Sequence, residues 1–403
     1  MKSKNINNLV FLFQFLLLST LNAQQLWQIN KDTIIQWHYV DGDEFNDSVV
    51  NTNKWSYQFG WARSIAANKE QQYYTDGENH KLKNGCLNLI ATKKTKEAKL
   101  IDYLPESDSI FINENFNGLN KRTFEYLSGM LQSKTKFQYG YFEIKLRYPK
   151  EKGFWPAFWL YGGIPNEEID WLEGKTEKVN KIHVGRHSKI KSENKYRHGF
   201  SIKKKWWGTW IKFDGNLNEG FHIISGEWDK NYLKFYLNGE CIAYSKLKMD
   251  EPKHLVVNLA VPSNDGSFKP GPDKNSTESI IFEVDYIRIW SGEKSNSTNS
   301  KTNFTSTTSE IQKTRLISKS SMHYGKKADH DNEGIIISLF PITENEFELR
   351  VLGKKLPSDA KFKIVENENV KCIEELKFGA KKIIIGEHQK IKLEAYGKEF
   401  TVK

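Results

Sequence analysis

Between Trp27 and Trp290 this chain repeats short runs of alternating apolar and polar residues, and no long helical period interrupts them. Tyr141-Phe142-Glu143-Ile144-Lys145-Leu146-Arg147-Tyr148 and Leu233-Lys234-Phe235-Tyr236-Leu237 are two examples. A period of two sends successive side chains to opposite faces, the pattern of a strand with one buried side. Turn signals such as Asn84-Gly85 and Asn238-Gly239 follow many of these runs and favour hairpins. The pattern predicts an all-β fold, a two-sheet antiparallel sandwich of jelly-roll type over residues 27–290. Its closing strand ends Phe282-Glu283-Val284-Asp285-Tyr286-Ile287-Arg288-Ile289-Trp290.

The ends of the chain read differently. Lys2 and Lys4 precede an apolar run from Val10 to Leu18, and Ser19-Thr20-Leu21-Asn22-Ala23 offers a cut after Ala23. Residues 1–23 are therefore expected to be a signal peptide, too short in its apolar part to span a bilayer. No other segment approaches the length of a membrane span. The mature protein is expected to be secreted, or held at the cell surface or in the periplasm, and monomeric. Residues 291–333 are rich in Ser, Thr, Asn and Lys, a composition that cannot bury a core and reads as a linker. Apolar alternation resumes over residues 334–403, predicting a small C-terminal β module. That module could bind a ligand, direct secretion or serve as a structural appendage.

Cys86, Cys241 and Cys372 lie far apart and form no metal spacing and no disulfide framework. The formal charge is +10. An excess of Lys suits an anionic polymer such as a sulfated polysaccharide, or simply a solvated surface. No compact basic motif points to nucleic acid. Aromatic residues make up 13% of the chain, which suits a β core or a cleft that stacks sugars.

The run Glu168-Ile169-Asp170-Trp171-Leu172-Glu173 sets three carboxylates among apolar residues. In a regular strand Glu168 and Asp170 share a face and Glu173 points away. On a helix the two Glu residues would lie roughly 140° apart, at about 100° per residue. A single β-bulge in a strand restores the parity and brings all three acids together. Like charges so placed repel and raise a pKa, a cost associated with acid/base chemistry.

The acid run has company. Asp43-Glu44-Phe45-Asn46, Asn68-Lys69-Glu70-Gln71-Gln72-Tyr73-Tyr74-Thr75, Ser128-Gly129-Met130-Leu131-Gln132-Ser133-Lys134, Phe137-Gln138-Tyr139-Gly140-Tyr141-Phe142-Glu143 and Gly153-Phe154-Trp155-Pro156-Ala157-Phe158-Trp159-Leu160 occur in that order. Together with the acids these blocks resemble glycoside hydrolase family 16, the clan of laminarinases, lichenases, agarases, κ-carrageenases and porphyranases. The resemblance covers about residues 37–290 and stops before the C-terminal module. The two residues between Asp170 and Glu173 look like the laminarinase, agarase and carrageenase branches.

What the resemblance implies is a jelly roll with a concave cleft and a retaining, endo-acting hydrolase. Glu168 would be the nucleophile, Glu173 the acid/base and Asp170 the residue that tunes them. The chemistry asks for one ionised and one protonated carboxyl, about 5–5.5 Å apart. The resemblance places Trp155 in the cleft as a sugar platform, with Trp159 the core member of the pair. It also directs Asn68, Glu70 and His183 toward the cleft. Arg63 could bind a sugar hydroxyl or sulfate, and Trp171 joins the substrate-binding set. Trp206, Trp207 and Trp210 could line the groove or cap the core. No cofactor is needed for the chemistry, and a structural Ca²⁺ would take Glu44 and Asp285. Three departures put the sugar in question: Glu167 before the nucleophile, the bulk of Trp171, and Gly185-Arg186-His187-Ser188 after the acids. The expected substrate is a β-linked polysaccharide, β-1,3-glucan or a marine galactan. A catalytically silent sugar-binding protein and a transglycosylase are the alternatives on the same fold.

Overall fold

A computed structural model describes residues 26–29, 34–102, 121–162, 167–196, 199–246, 248–273, 275, 277–295, 334–341, 345–352, 356–377, 379–386 and 388–401. The expected signal peptide, and the expected linker from residue 296 onward, lie outside the described residues. Within them the chain is β throughout, apart from one 3-10 turn at Ala66–Asn68. Among the described residues, no helix is long and apolar enough to cross a membrane.

Two layers face each other. The front sheet runs in the order Met130–Phe137, Lys253–Ala260, Trp155–Gly162, Glu167–Glu173, Lys181–Tyr196 and Gly199–Lys212, each strand antiparallel to the next. The back sheet runs Cys86–Lys99, Ser279–Ser295, Gly140–Arg147, His222–Asp229, Tyr232–Leu237 and Glu240–Lys246, also antiparallel. The closing strand thus continues past Trp290 to Ser295, pairing there with Ile34–Asp43. Alternation explains the layering. Phe158, Leu160, Ile169 and Leu172 from the front sheet meet Phe142, Ile144 and Leu146 from the back in one buried cluster. The intervening residues Trp155, Ala157 and Trp159 turn to the opposite side of the front sheet, into a separate aromatic layer with Phe59, Tyr74 and Met130.

The C-terminal residues form a second β unit with its own core, including Phe347, Leu349, Phe362, Ile391 and Leu393. Four of its strands make a small separate sheet. The other three connect to the sandwich through the strand Leu26–Ile29, which pairs with Ile34–Asp43 on one side and Ile335–Pro341 on the other. The three cysteines are free thiols.

Candidate active site

The acid strand Glu167–Glu173 carries the bulge that its parity demands. On one side Glu168 pairs with His187, Asp170 with Gly185 and Glu173 with His183, so three steps on the acid strand match two on its neighbour. On the other side Asp170 faces Trp159 and Leu172 faces Phe158. Trp171 is the residue passed over. Trp171 and Leu172 both point into the core and are fully buried, which returns Glu173 to the face of Glu168 and Asp170.

Trp171 is therefore not a substrate-binding residue, contrary to the sequence expectation. It packs between Phe142 and Phe235, at ring distances of 6.0 and 5.1 Å. Gly226 on the back sheet makes room for it, since a Cβ there would come within 2.1 Å of the indole. Two more glycines clear space on the opposite side. A Cβ at Gly185 would lie 3.1 Å from Asp170, and one at Gly208 would lie 2.4 Å from His183.

Electrostatics divides the acids into two pairs. Glu168 and Asp170 share a side-chain hydrogen bond. Two carboxyl groups can do so only if one holds a proton. Burial pushes the Glu168 carboxyl well above the usual carboxylate range, and the charges of Asp170 and Glu173 add to the effect. Asp170 is pushed up to about 6, first by burial and then by the charge of Glu173, with His187 acting in the opposite direction. The second pair is Glu173 with His183, whose Nδ1 lies 2.8 Å from Glu173 Oε2. Burial disfavours the charged imidazole, but the bond to Glu173 and the nearby carboxylate charges outweigh it and raise the His183 pKa.

His187, noted in the sequence only as part of a departure after the acids, lies 3.7 Å from Glu168 and 3.8 Å from Asp170 through Nε2. Its place follows from its register opposite Glu168, four residues after His183 on the same strand. Glu167 turns the other way, into a buried ion pair with Lys253 at 2.9 Å, which accounts for an acid immediately before Glu168.

The remaining expected site residues separate. Trp155 lies on the front face, but its ring is covered: Phe268 stacks on it with centroids 4.0 Å apart and planes within 5°. Phe268 also touches His183 and Trp210, at 5.7 and 5.6 Å, and so stands beside the histidine that bonds Glu173. Trp159, expected in the sandwich core, belongs instead to the front aromatic layer, its indole donating to Asn258 Oδ1 at 2.8 Å. Trp207 is buried in the core, while Trp210 reaches His183 at 5.3 Å. The Trp206 side chain lies outside the described residues.

Asn68 and Glu70 are tied to each other, with Asn68 Nδ2 donating to Glu70 Oε1 at 3.0 Å. Glu70 also accepts from Gln72 Nε2 at 2.6 Å and from the Ile65 amide at 3.2 Å. Burial raises its pKa, and those donors oppose the rise. The Glu70 carboxylate thus holds the loop from Ile65 to Gln72 from inside.

Arg63 is a structural residue, not a sugar ligand. Its side chain is 3% exposed and grips Asp76 through two bonds of 2.6 and 3.0 Å, with Asp102 at 2.8 Å. The expected calcium ligands are likewise occupied. Arg288 binds both carboxylate oxygens of Glu44, at 2.6 and 2.7 Å, and Lys145 lies 2.7 Å from Asp285. Each carboxylate already faces a cation, so this pair does not fit a Ca²⁺ ion.

A jelly-roll sandwich whose front sheet presents three carboxylates from one bulged strand, flanked by two histidines and an aromatic wall, defines a class of carboxylate-bearing cleft proteins. Residues 67–278 match the model for glycosyl hydrolases family 16, and the chain belongs to that family. A β-glucanase from Rhodothermus marinus is 25% identical over 306 residues, 68% of this chain and 93% of that protein. Endo-1,3-1,4-beta-glycanase ExsH from Rhizobium meliloti is 27% identical over 271 residues, 62% of this chain and 50% of that protein. The chain thus spans about half the length of the latter relative. Among solved structures, the endo-beta-1,3-glucanase from Pyrococcus furiosus superposes with a TM-score of 0.50 at 25% identity, covering 66% of this chain and 99% of that one.

Proposed function

We propose that the protein is a secreted, retaining, endo-acting glycoside hydrolase with β-1,3-glucan as its substrate. The observation that carries the mechanism is the bulge, which sets Glu168, Asp170 and Glu173 on one face and gives the outer two different partners. Glu168 holds the proton of the bond it shares with Asp170 at rest; transfer of that proton to Asp170 leaves Glu168 ionised and aimed. Glu168 attacks the anomeric carbon, the bond to the leaving oxygen breaks, and Glu173 delivers its proton to that oxygen. Glu173 then takes a proton from water, which attacks the glycosyl ester and frees Glu168. His183 orients Glu173 and keeps a second proton site within hydrogen-bond reach. The β-1,3 linkage is supported by the glucanase relatives, and the leader-like residues 1–23 support secretion.

Reducing-sugar release from laminarin, agarose, porphyran and κ-carrageenan tests the substrate, and the anomer of the first-formed product tests retention. Release from laminarin with the β-anomer appearing first is the expected result. No release from any of the four, or an inverted product, overturns the reading. Glu173→Ala is expected to lower turnover by about 10²- to 10⁴-fold, with azide restoring rate on an activated aryl glycoside as a β-glycosyl azide forms. Recovery of the α-azide would exchange the roles of the two Glu residues.

Phe268 makes the second prediction for the cleft. If its ring and Trp210 hold the sugar beside Glu173, Phe268→Ala raises KM roughly 2- to 10-fold, the span of an aromatic contact worth about 0.5–1.5 kcal/mol, with kcat little changed. A KM that stays the same or falls returns the platform to the uncovered Trp155.

A further inference from the structure

The outer side of the back sheet is not solvated as the outside of a sandwich should be. In Gly140–Arg147 the residues Phe142, Ile144 and Leu146 fill the core, so Tyr141, Glu143 and Lys145 point away from it. These three are nonetheless 0%, 0% and 2% exposed. Chain from both ends of the protein covers part of this face. Tyr141 lies in one buried cluster with Trp37, Tyr236 and Trp290 of the sandwich, Leu26 of the N-terminal strand and Ile336 of the C-terminal unit. Ile29, three residues after Leu26, sits in the core of the C-terminal unit with Ile335, Ile337 and Phe347. One short strand is therefore shared by both cores and hydrogen-bonded to both sheets.

The polar contact is as specific. Glu143 Oε1 accepts from Arg350 Nη2 at 2.7 Å and from the Tyr286 hydroxyl at 2.9 Å. Arg350 Nη1 reaches the same Tyr286 oxygen at 2.5 Å. Arg350 belongs to the C-terminal strand Glu346–Leu352 and is 1% exposed. A charge buried this completely is tolerated only with its partner present.

We propose that residues 334–401 are a built-in cover for the back sheet, clamped by the Arg350–Glu143 pair and by the shared strand Leu26–Ile29, and not a separable sugar-binding module. The cover shields Tyr141, Trp290 and the Glu143 carboxylate from solvent, and without it the sandwich would expose an apolar patch with a stranded charge at its edge.

The full-length chain with a protease recognition sequence inserted between residues 305 and 315 tests this. After cleavage, the two pieces are expected to co-elute on size exclusion and to unfold in a single thermal transition. Separate elution, or a catalytic piece whose Tm equals that of the uncut protein, overturns the proposal. Arg350→Met is expected to lower the Tm by roughly 5–10 °C, as loss of one partner of a buried pair should in a chain of this size. It should also let the cleaved pieces part. The double variant Glu143→Gln with Arg350→Met should recover part of that loss, because no charge is then left unpaired. An unchanged Tm and undiminished co-elution in Arg350→Met would remove the clamp from the account. The cleaved wild-type protein decides the matter if that variant does not fold.

Discussion

Glu168→Ala is expected to lower kcat on laminarin by at least about 10⁴-fold, the scale on which losing a covalent nucleophile is felt, while the protein stays folded. The side chain sits on the front face with a quarter of its area exposed, so truncating it opens no hole in the core. It also removes one of three crowded carboxyl groups. The consequence for stability has a definite sign. Asp170 titrates at about 6 in the folded protein against an ordinary 3.8. Between roughly pH 4 and 6 the native state therefore holds a proton that the unfolded chain has released, and stability falls as pH rises through that window. Glu168 is raised for the same reasons and acts in the same direction. In Glu168→Ala the fall should be shallower, because its own contribution and the charge coupling to Asp170 are gone. Thermal unfolding of both proteins from pH 4 to 7, beside kcat at the optimum, checks both halves. Activity within tenfold of the parent would dismiss Glu168 as nucleophile.

Trp171→Ala is expected to destabilise the fold by about 3–5 kcal/mol, the range for emptying a large aromatic site in a packed core, with KM unchanged in the protein that folds. The indole fills the space that Gly226 leaves between Phe142 and Phe235. Its removal also strips the bulge of the residue that holds it open toward the core, so kcat should drop as Glu173 loses its fixed position. Trp171→Phe should retain most of the stability, because a phenyl ring suits the aromatic surroundings and the buried indole N–H meets no acceptor there. Denaturant unfolding of both variants alongside steady-state kinetics makes the comparison. A raised KM with undiminished stability in Trp171→Ala would place this residue back in the cleft.

The acids show where local sequence rules suffice. The parity of Glu168, Asp170 and Glu173 could be read directly, because alternation is a property of the extended backbone and holds whatever packs on it. The same rule put Phe142, Ile144 and Leu146 on one face and Phe158 and Leu160 on another. The sequence expectation split Trp155 and Trp159 between cleft and core, whereas the structure puts both in the front aromatic layer. Trp155 is covered by Phe268 from a loop over a hundred positions away, and that loop carries no pattern of its own. Arg63 looked available because its acceptors are scattered: Tyr74, Asp76 and Asp102 converge on it only after folding. His187 faces Glu168 through strand register, which depends on the bulge and on the turn before it.

The sequence by itself determined the all-β architecture, the front and back faces of its strands, and the need for one extra residue between Asp170 and Glu173. Those follow from backbone geometry acting over a few positions. Only the tertiary structure decided that Trp171 is that residue, that Phe268 covers Trp155 and meets His183, that Glu44 and Asp285 face Arg288 and Lys145, and that the C-terminal unit closes over the back sheet. Each of these is a contact between side chains remote in the chain, such as Glu143 and Arg350, and burial of a charge or a ring is settled by what lies against it in space.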